Sequence, residues 1–108
     1  MAKGNEALTE SYFYILLCLK KSPLHGYGIM QETLRLSGGR LKIGSGTMYG
    51  ATGNMIKKGW IKEIEAPSDG FERKRMYELT EEGERVLDDE VIRLRELVKS
   101  ADEVYSQK

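Results

Sequence analysis

The densest run of positive charge in the chain is Arg73-Lys74-Arg75. Three adjacent cations suit a polyanion, and a phosphate backbone is the partner that such a clamp fits best. The alternative is structural: charge on an edge strand that keeps other strands from pairing with it. A second group of polar residues lies in one short stretch: Ser45, Thr47, Asn54, Lys57 and Lys58. Hydroxyls and open amides at a helix start can hold a phosphate. The carboxamide of Asn54 can read an adenine edge through two hydrogen bonds. Lys57 and Lys58 suit backbone phosphates. For Ser45 and Thr47, simple helix capping competes with this reading. Catalytic chemistry has little to work with. Cys18 and His25 are the single residues of their types, too few for a structural zinc site of about four ligands. No nucleophile–base pair, metal cluster or cofactor motif is readable, so neither an enzyme nor a cofactor is expected.

The 108 residues bound the rest: one domain with a modest core. Net charge is zero, yet it is unevenly spread. Residues 40–77 carry eight basic and four acidic side chains, whereas residues 78–108 carry five basic and ten acidic ones. A basic middle with an acidic end is compatible with a nucleic-acid surface. The longest apolar run, Tyr12 to Leu19, has eight residues. That is well short of the roughly 20 needed to span a bilayer. With no readable leader and a lone cysteine, a cytoplasmic protein with no membrane partner is expected.

These groups must be positioned by a few elements. Residues 1–7 read as a flexible tail. Thr9 is placed to cap a first helix running to about Lys21, with Leu8, Tyr12, Ile15, Leu16 and Leu19 on one face. Phe13, Tyr14 and Leu17 cover much of the remainder, so more than one side needs cover. Ser22-Pro23 stops that helix. A second should begin near Gly26 or Tyr27, with Tyr27, Met30 and Leu34 in register, and end at Ser37-Gly38-Gly39. Leu41-Lys42-Ile43 reads as a short strand. Ser45 or Gly46 then caps a third helix that turns Met48, Ala51 and Met55 inward and ends near Lys58-Gly59. Trp60–Glu65 and Arg73–Leu79 read as a hairpin around the turn residues Pro67-Ser68-Asp69-Gly70. Thr80 caps a last helix reaching to near Ser106.

The expected fold class is therefore mainly α (α+β): a winged helix-turn-helix with a long C-terminal dimerisation helix. Residues 1–79 form the winged-helix DNA-binding part and residues 80–108 the dimerisation helix of the same unit. In that last helix Leu87, Val91, Leu94, Val98, Ala101 and Tyr105 alternate at spacings of four and three, a heptad seam. The helix overshoots a domain of this size, so a second copy should cover its far half. Tyr12 on the first helix is the expected co-packer, and two-fold symmetry is the default.

Five stretches in order resemble the PadR family of transcriptional regulators. They are Leu24-His25-Gly26-Tyr27-Gly28-Ile29, Gly46-Thr47-Met48-Tyr49-Gly50, Lys58-Gly59-Trp60-Ile61, Arg73-Lys74-Arg75-Met76-Tyr77 and Leu79-Thr80-Glu81-Glu82-Gly83. The single last helix is similar to the short branch of that family. The resemblance implies a dimeric transcription factor on double-stranded DNA, usually a repressor, sometimes released by a small aromatic or drug-like effector. It favours a backbone contact by the Tyr49 hydroxyl over packing. An effector pocket lined by Tyr12, Ile15, Leu94 and Val98 is one expectation. Thr52, Gly53 and Asn54 depart from the family pattern, which usually has leucine at the first and charged residues at the others. Gly50 and Gly53 each weaken the third helix by about 1 kcal/mol relative to alanine. The competing expectation is a winged-helix module that docks another protein and binds no DNA.

Overall fold

The computed structural model describes residues 7–66 and 74–107. Four helices and three strands follow one another as α1 (Glu10–Cys18), β1 (Leu24–His25), α2 (Gly26–Leu36), α3 (Ser45–Lys57), β2 (Ile61–Ala66), β3 (Lys74–Leu79) and α4 (Glu81–Tyr105). This is a winged helix: a small helical core closed by an antiparallel sheet of order β1-β3-β2.

Three helix starts are locked by the side chain that precedes them. Thr9 accepts from the Tyr12 amide at 3.1 Å, His25 Nδ1 from Gly28 at 3.1 Å, and Thr80 from Gly83 at 3.0 Å. Each such cap is worth about 1 kcal/mol. His25 is thus a satisfied helix cap, as its position suggests. Helix α1 ends at Cys18, earlier than Lys21, because the amides of Leu19 and Lys20 turn back to Leu16 and Leu17. The chain must unwind there to enter an extended conformation ahead of Pro23.

Two expectations are corrected. The third strand is Leu24–His25, which pairs with Tyr77 and Met76 of β3. Leu41-Lys42-Ile43 forms no strand; Ile43, 4% exposed, instead pins that loop into the core. Helix α2 is also rotated from the expected register. Gly26, Ile29 and Thr33 face the core, leaving Tyr27 and Leu34 exposed. Close backbone packing decides this: a Cβ at Gly26 would lie 2.6 Å from Met48 Cε, so α2 meets α3 through its glycine.

The core gathers Ile15 and Leu16 of α1 with its capping residue Leu19, Ile29 of α2, and Met48, Ala51 and Met55 of α3. Ile61, Tyr77 and Leu87 close it. Cys18 sits inside, its sulfur 3.5 Å from the Thr33 hydroxyl, and burial pushes its thiol pKa up. The root of α4 packs on α1 and β3. Its first turn rides directly on the backbone of Trp60, whose carbonyl accepts from the Thr80 amide at 3.0 Å. At Gly83 an added Cβ would stand 1.9 Å from that same carbonyl oxygen. Glu90, 4% exposed, accepts from Nε and Nη2 of Arg93, at 2.9 and 2.7 Å, and from the Leu8 amide at 3.3 Å. The Arg93 guanidinium first, and the Leu8 amide after it, hold this carboxyl below the usual carboxylate range against the opposing effect of burial.

Gly83→Ala should therefore lower stability by about 3 kcal/mol, the scale of overpacking against fixed backbone, as read from urea unfolding. Glu90 titrates lower in the folded chain than in the unfolded one. Its stabilisation should be complete above about pH 4.3 and fade as pH falls through the depressed value. Urea titrations in successive acidic buffers should show a shallower acid loss for Glu90→Gln than for the wild-type chain.

Candidate nucleic-acid interface

Helix α3 is the most open of the core helices. Met48, Ala51, Thr52 and Met55 face inward. Thr52, where a leucine would be ordinary, is 2% exposed and satisfied by donating to the Tyr49 carbonyl at 3.2 Å. The helix begins one residue earlier than a Ser45 cap implies and two earlier than a Gly46 cap. Gly44 takes the cap position with no side chain to offer, and Ser45 becomes the first helical residue. Capping is therefore removed as the role of Ser45 and Thr47. The first internal bond is Met48 to Gly44, so the amides of Ser45, Gly46 and Thr47 meet no acceptor among the described residues. An exposed helix start with open amides carries partial positive charge.

Opposite the buried stripe, the outermost positions of α3 are Gly46, Gly50, Gly53 and Lys57. No atom lies within 4 Å of a Cβ added to any of the three glycines. The fold itself does not require them. Larger side chains stand on the flanks of this bare strip: Tyr49 on one side, Thr47 and Asn54 on the other. Tyr49 is 55% exposed, and its hydroxyl would sit 3.2 Å from a Cβ at Gly26. The hydroxyl end thus lies against the start of α2, while the residue as a whole stays exposed. Asn54 is exposed, and its amide donates to the Tyr12 hydroxyl of α1 at 3.0 Å.

Lys57 and Lys42 form no ion pair among the described residues, and Lys58 lies 5.4 Å from the Trp60 ring centre. Other cations are already matched. Arg75 meets Glu63 at 2.8 Å across the sheet, Lys62 meets Glu78 at 3.6 Å, and Arg40 pairs with Glu10. Of the Arg73-Lys74-Arg75 cluster, Arg73 and the Lys74 side chain lie outside the described residues, as does the Pro67–Gly70 turn. Lys42 was not singled out from the sequence. Its signal was present, a lone cation just ahead of a glycine-rich helix start.

The second surface is α4. Leu87 is 2% exposed and belongs to the chain's own core, so the seam expected for a partner starts too early. Val91 is also packed against that core. Beyond it the helix runs clear of the globule. Leu97, Val98, Val104 and Tyr105 are 53, 58, 64 and 87% exposed, and Ala101 is exposed beside them. A groove of about 350 Å³ follows the seam, lined by Phe13, Val91, Leu94, Arg95, Val98, Lys99 and Asp102. Leu94 and Val98 line it as expected. Ile15 does not, being wholly buried, and Phe13 supplies the α1 wall while the Tyr12 hydroxyl bonds Asn54. No group of His, Cys, Asp or Glu among the described residues is arranged to hold a metal ion. None of the described helices is long and apolar enough to cross a membrane.

The three-helix core, the two-stranded wing and the exposed α3 define a winged helix-turn-helix protein. The profile of the transcriptional regulator PadR-like family matches residues 15–89, and the chain belongs to that family. None of the curated proteins gives a significant match. Among solved structures, a PadR family transcription regulator from Clostridium difficile superposes with a TM-score of 0.77 at 25% identity, covering 91% of this chain and all of that one. A transcriptional regulator from Clostridium thermocellum gives 0.74 at 23%, with 90% of each chain covered. Bacillus subtilis PadR in complex with operator DNA gives 0.67 at 26% identity, over 75% of this chain and 46% of the other.

Because no tertiary contact depends on Gly50 or Gly53, alanine at either site should stabilise the fold. About 1 kcal/mol is expected at each, visible as a raised thermal midpoint by circular dichroism.

Proposed function

We propose that this regulator binds double-stranded DNA as a homodimer and represses from a pseudo-palindromic operator. Residues 1–79 are the DNA-binding part and residues 80–108 the dimerisation helix. The observation that carries the reading is α3 itself: an exposed helix whose starting amides and Lys57, near its end, have no partner among the described residues, with Thr47 and Asn54 on its flank. Such a helix fits a major groove. The operator-bound Bacillus subtilis neighbour supports the same use of the fold.

In this reading Ser45, Thr47 and the open amides take a backbone phosphate, with the Tyr49 hydroxyl, Lys57 and Lys58 beside them. Asn54 reads a base edge. Arg73, Lys74 and Arg75 follow the flanking backbone from the wing. The bare glycine strip lets the α3 backbone approach the groove floor more closely than an alanine-faced helix could. The stripe of half-buried Leu94 with exposed Val98, Ala101 and Tyr105 meets its copy, with α1 beside its root. A two-fold pair would set two α3 helices about 34–36 Å apart, one turn of duplex. The groove walled by Phe13, Leu94 and Val98 suits a flat apolar or aromatic effector whose binding releases the operator.

A second reading is favoured by one observation. Lys62 and Arg75 of the wing strands are matched to Glu78 and Glu63, and Arg40 ahead of α3 to Glu10, which leaves fewer free cations around α3 and suits docking another protein. Fluorescence anisotropy with promoter and random duplexes across a salt series separates the two. The DNA reading expects affinity to drop by about 10³ to 10⁵ between roughly 50 and 200 mM salt if ~6–10 phosphates are neutralised. Arg73→Ala with Lys74→Ala should lower that slope. A chain that ignores duplex even at low salt would be the docking module instead, whereas one that binds duplex but sediments as a monomer would lose only the dimer.

A further inference from the structure

The geometry points to Tyr12 as a positioning residue that sets base preference through Asn54, an inference that rests on the DNA-binding reading above. Asn54 stands on the exposed flank of α3, where a lone carboxamide would rotate freely among its conformers. It does not stand alone. Its amide donates to the Tyr12 hydroxyl of α1 at 3.0 Å, a bond between residues 42 positions apart.

Tyr12 is well placed to act as a fixed post. It is half-buried, packs against the core, and lies in the first turn of a helix whose cap, Thr9, accepts from the Tyr12 amide itself. The next residue, Phe13, walls the α4 groove. The hydroxyl is therefore held by the core and by α1 together. A primary carboxamide has two N–H donors and one carbonyl acceptor. Spending one N–H on Tyr12 leaves one donor and the acceptor, which is the pair that reads the N7 and N6 of adenine. The bond thus orders the side chain before any base arrives while keeping its reading edge open. Pre-ordering one flexible side chain is worth about a threefold to tenfold gain in discrimination.

The test uses the full chain and a duplex pool with a randomised centre, sequenced after selection. The readout is the ratio of adenine to other bases at each position, which a change in the folded fraction does not move. Tyr12→Phe removes only the hydroxyl. It should cut the adenine preference at one position of each half-site about threefold to tenfold and leave affinity for random duplex unchanged. Asn54→Ala should abolish that preference, and the double variant should match Asn54→Ala alone. If Tyr12→Phe keeps the preference that Asn54→Ala loses, Tyr12 has no positioning role and the base-reading assignment stands. If Asn54→Ala also keeps it, base reading by Asn54 falls and takes the Tyr12 role with it. A wild-type chain that retains no duplex overturns the DNA reading itself.

Discussion

Everything outside the core hangs on the contact between the start of α4 and the backbone of Trp60. The Trp60 carbonyl accepts from Thr80, the Thr80 hydroxyl donates to the Gly59 carbonyl at 2.5 Å, and Gly83 lets the helix lie against that strand with no Cβ between them. This junction ties three things at once. It ends the turn that leaves α3, starts β2, and launches α4 at a fixed angle. The orientation of a helix of 25 residues, about 38 Å long, is set within its first turn. A slip there would move the far end by many ångströms while leaving α3 untouched.

Helix α1 supplies the second set of ties. Its start pairs with the loop before α3 through Glu10 and Arg40, and its hydroxyl at Tyr12 reaches Asn54. Just past its end, Lys20 meets α4, 2.6 Å from Glu84 and 3.7 Å from Asp88. These surface pairs are individually weak. Their value is geometric, since the same short helix touches the exposed face of α3, the loop ahead of it and the root of α4.

Much of this was legible in the residues. The caps at Thr9 and Thr80, the inward triad of Met48, Ala51 and Met55, and the order of helices and hairpin follow from local chemistry. What was not legible was decided by contacts distant in sequence. Leu24–His25 is a strand because β3 lies beside it, and no two-residue segment announces that on its own. Helix α2 is rotated because Gly26 must face Met48, which outweighs the apolar spacing of Tyr27, Met30 and Leu34. The burial of Glu90 was invisible because its partners, Arg93 and Leu8, lie one turn away and at the other end of the chain. The exposed flank of α3 was read correctly, but not the hydroxyl that holds Asn54.

Helix α4 changes its surroundings halfway along without changing its backbone. Its root is clamped in the globule, and its tip carries Val104 and Tyr105 into open space. One unbroken ladder of hydrogen bonds joins the two. Fraying at the tip and occupancy of the bare stripe therefore form a linked equilibrium. By mass action, anything that binds the helical form of those last turns stabilises them against fraying.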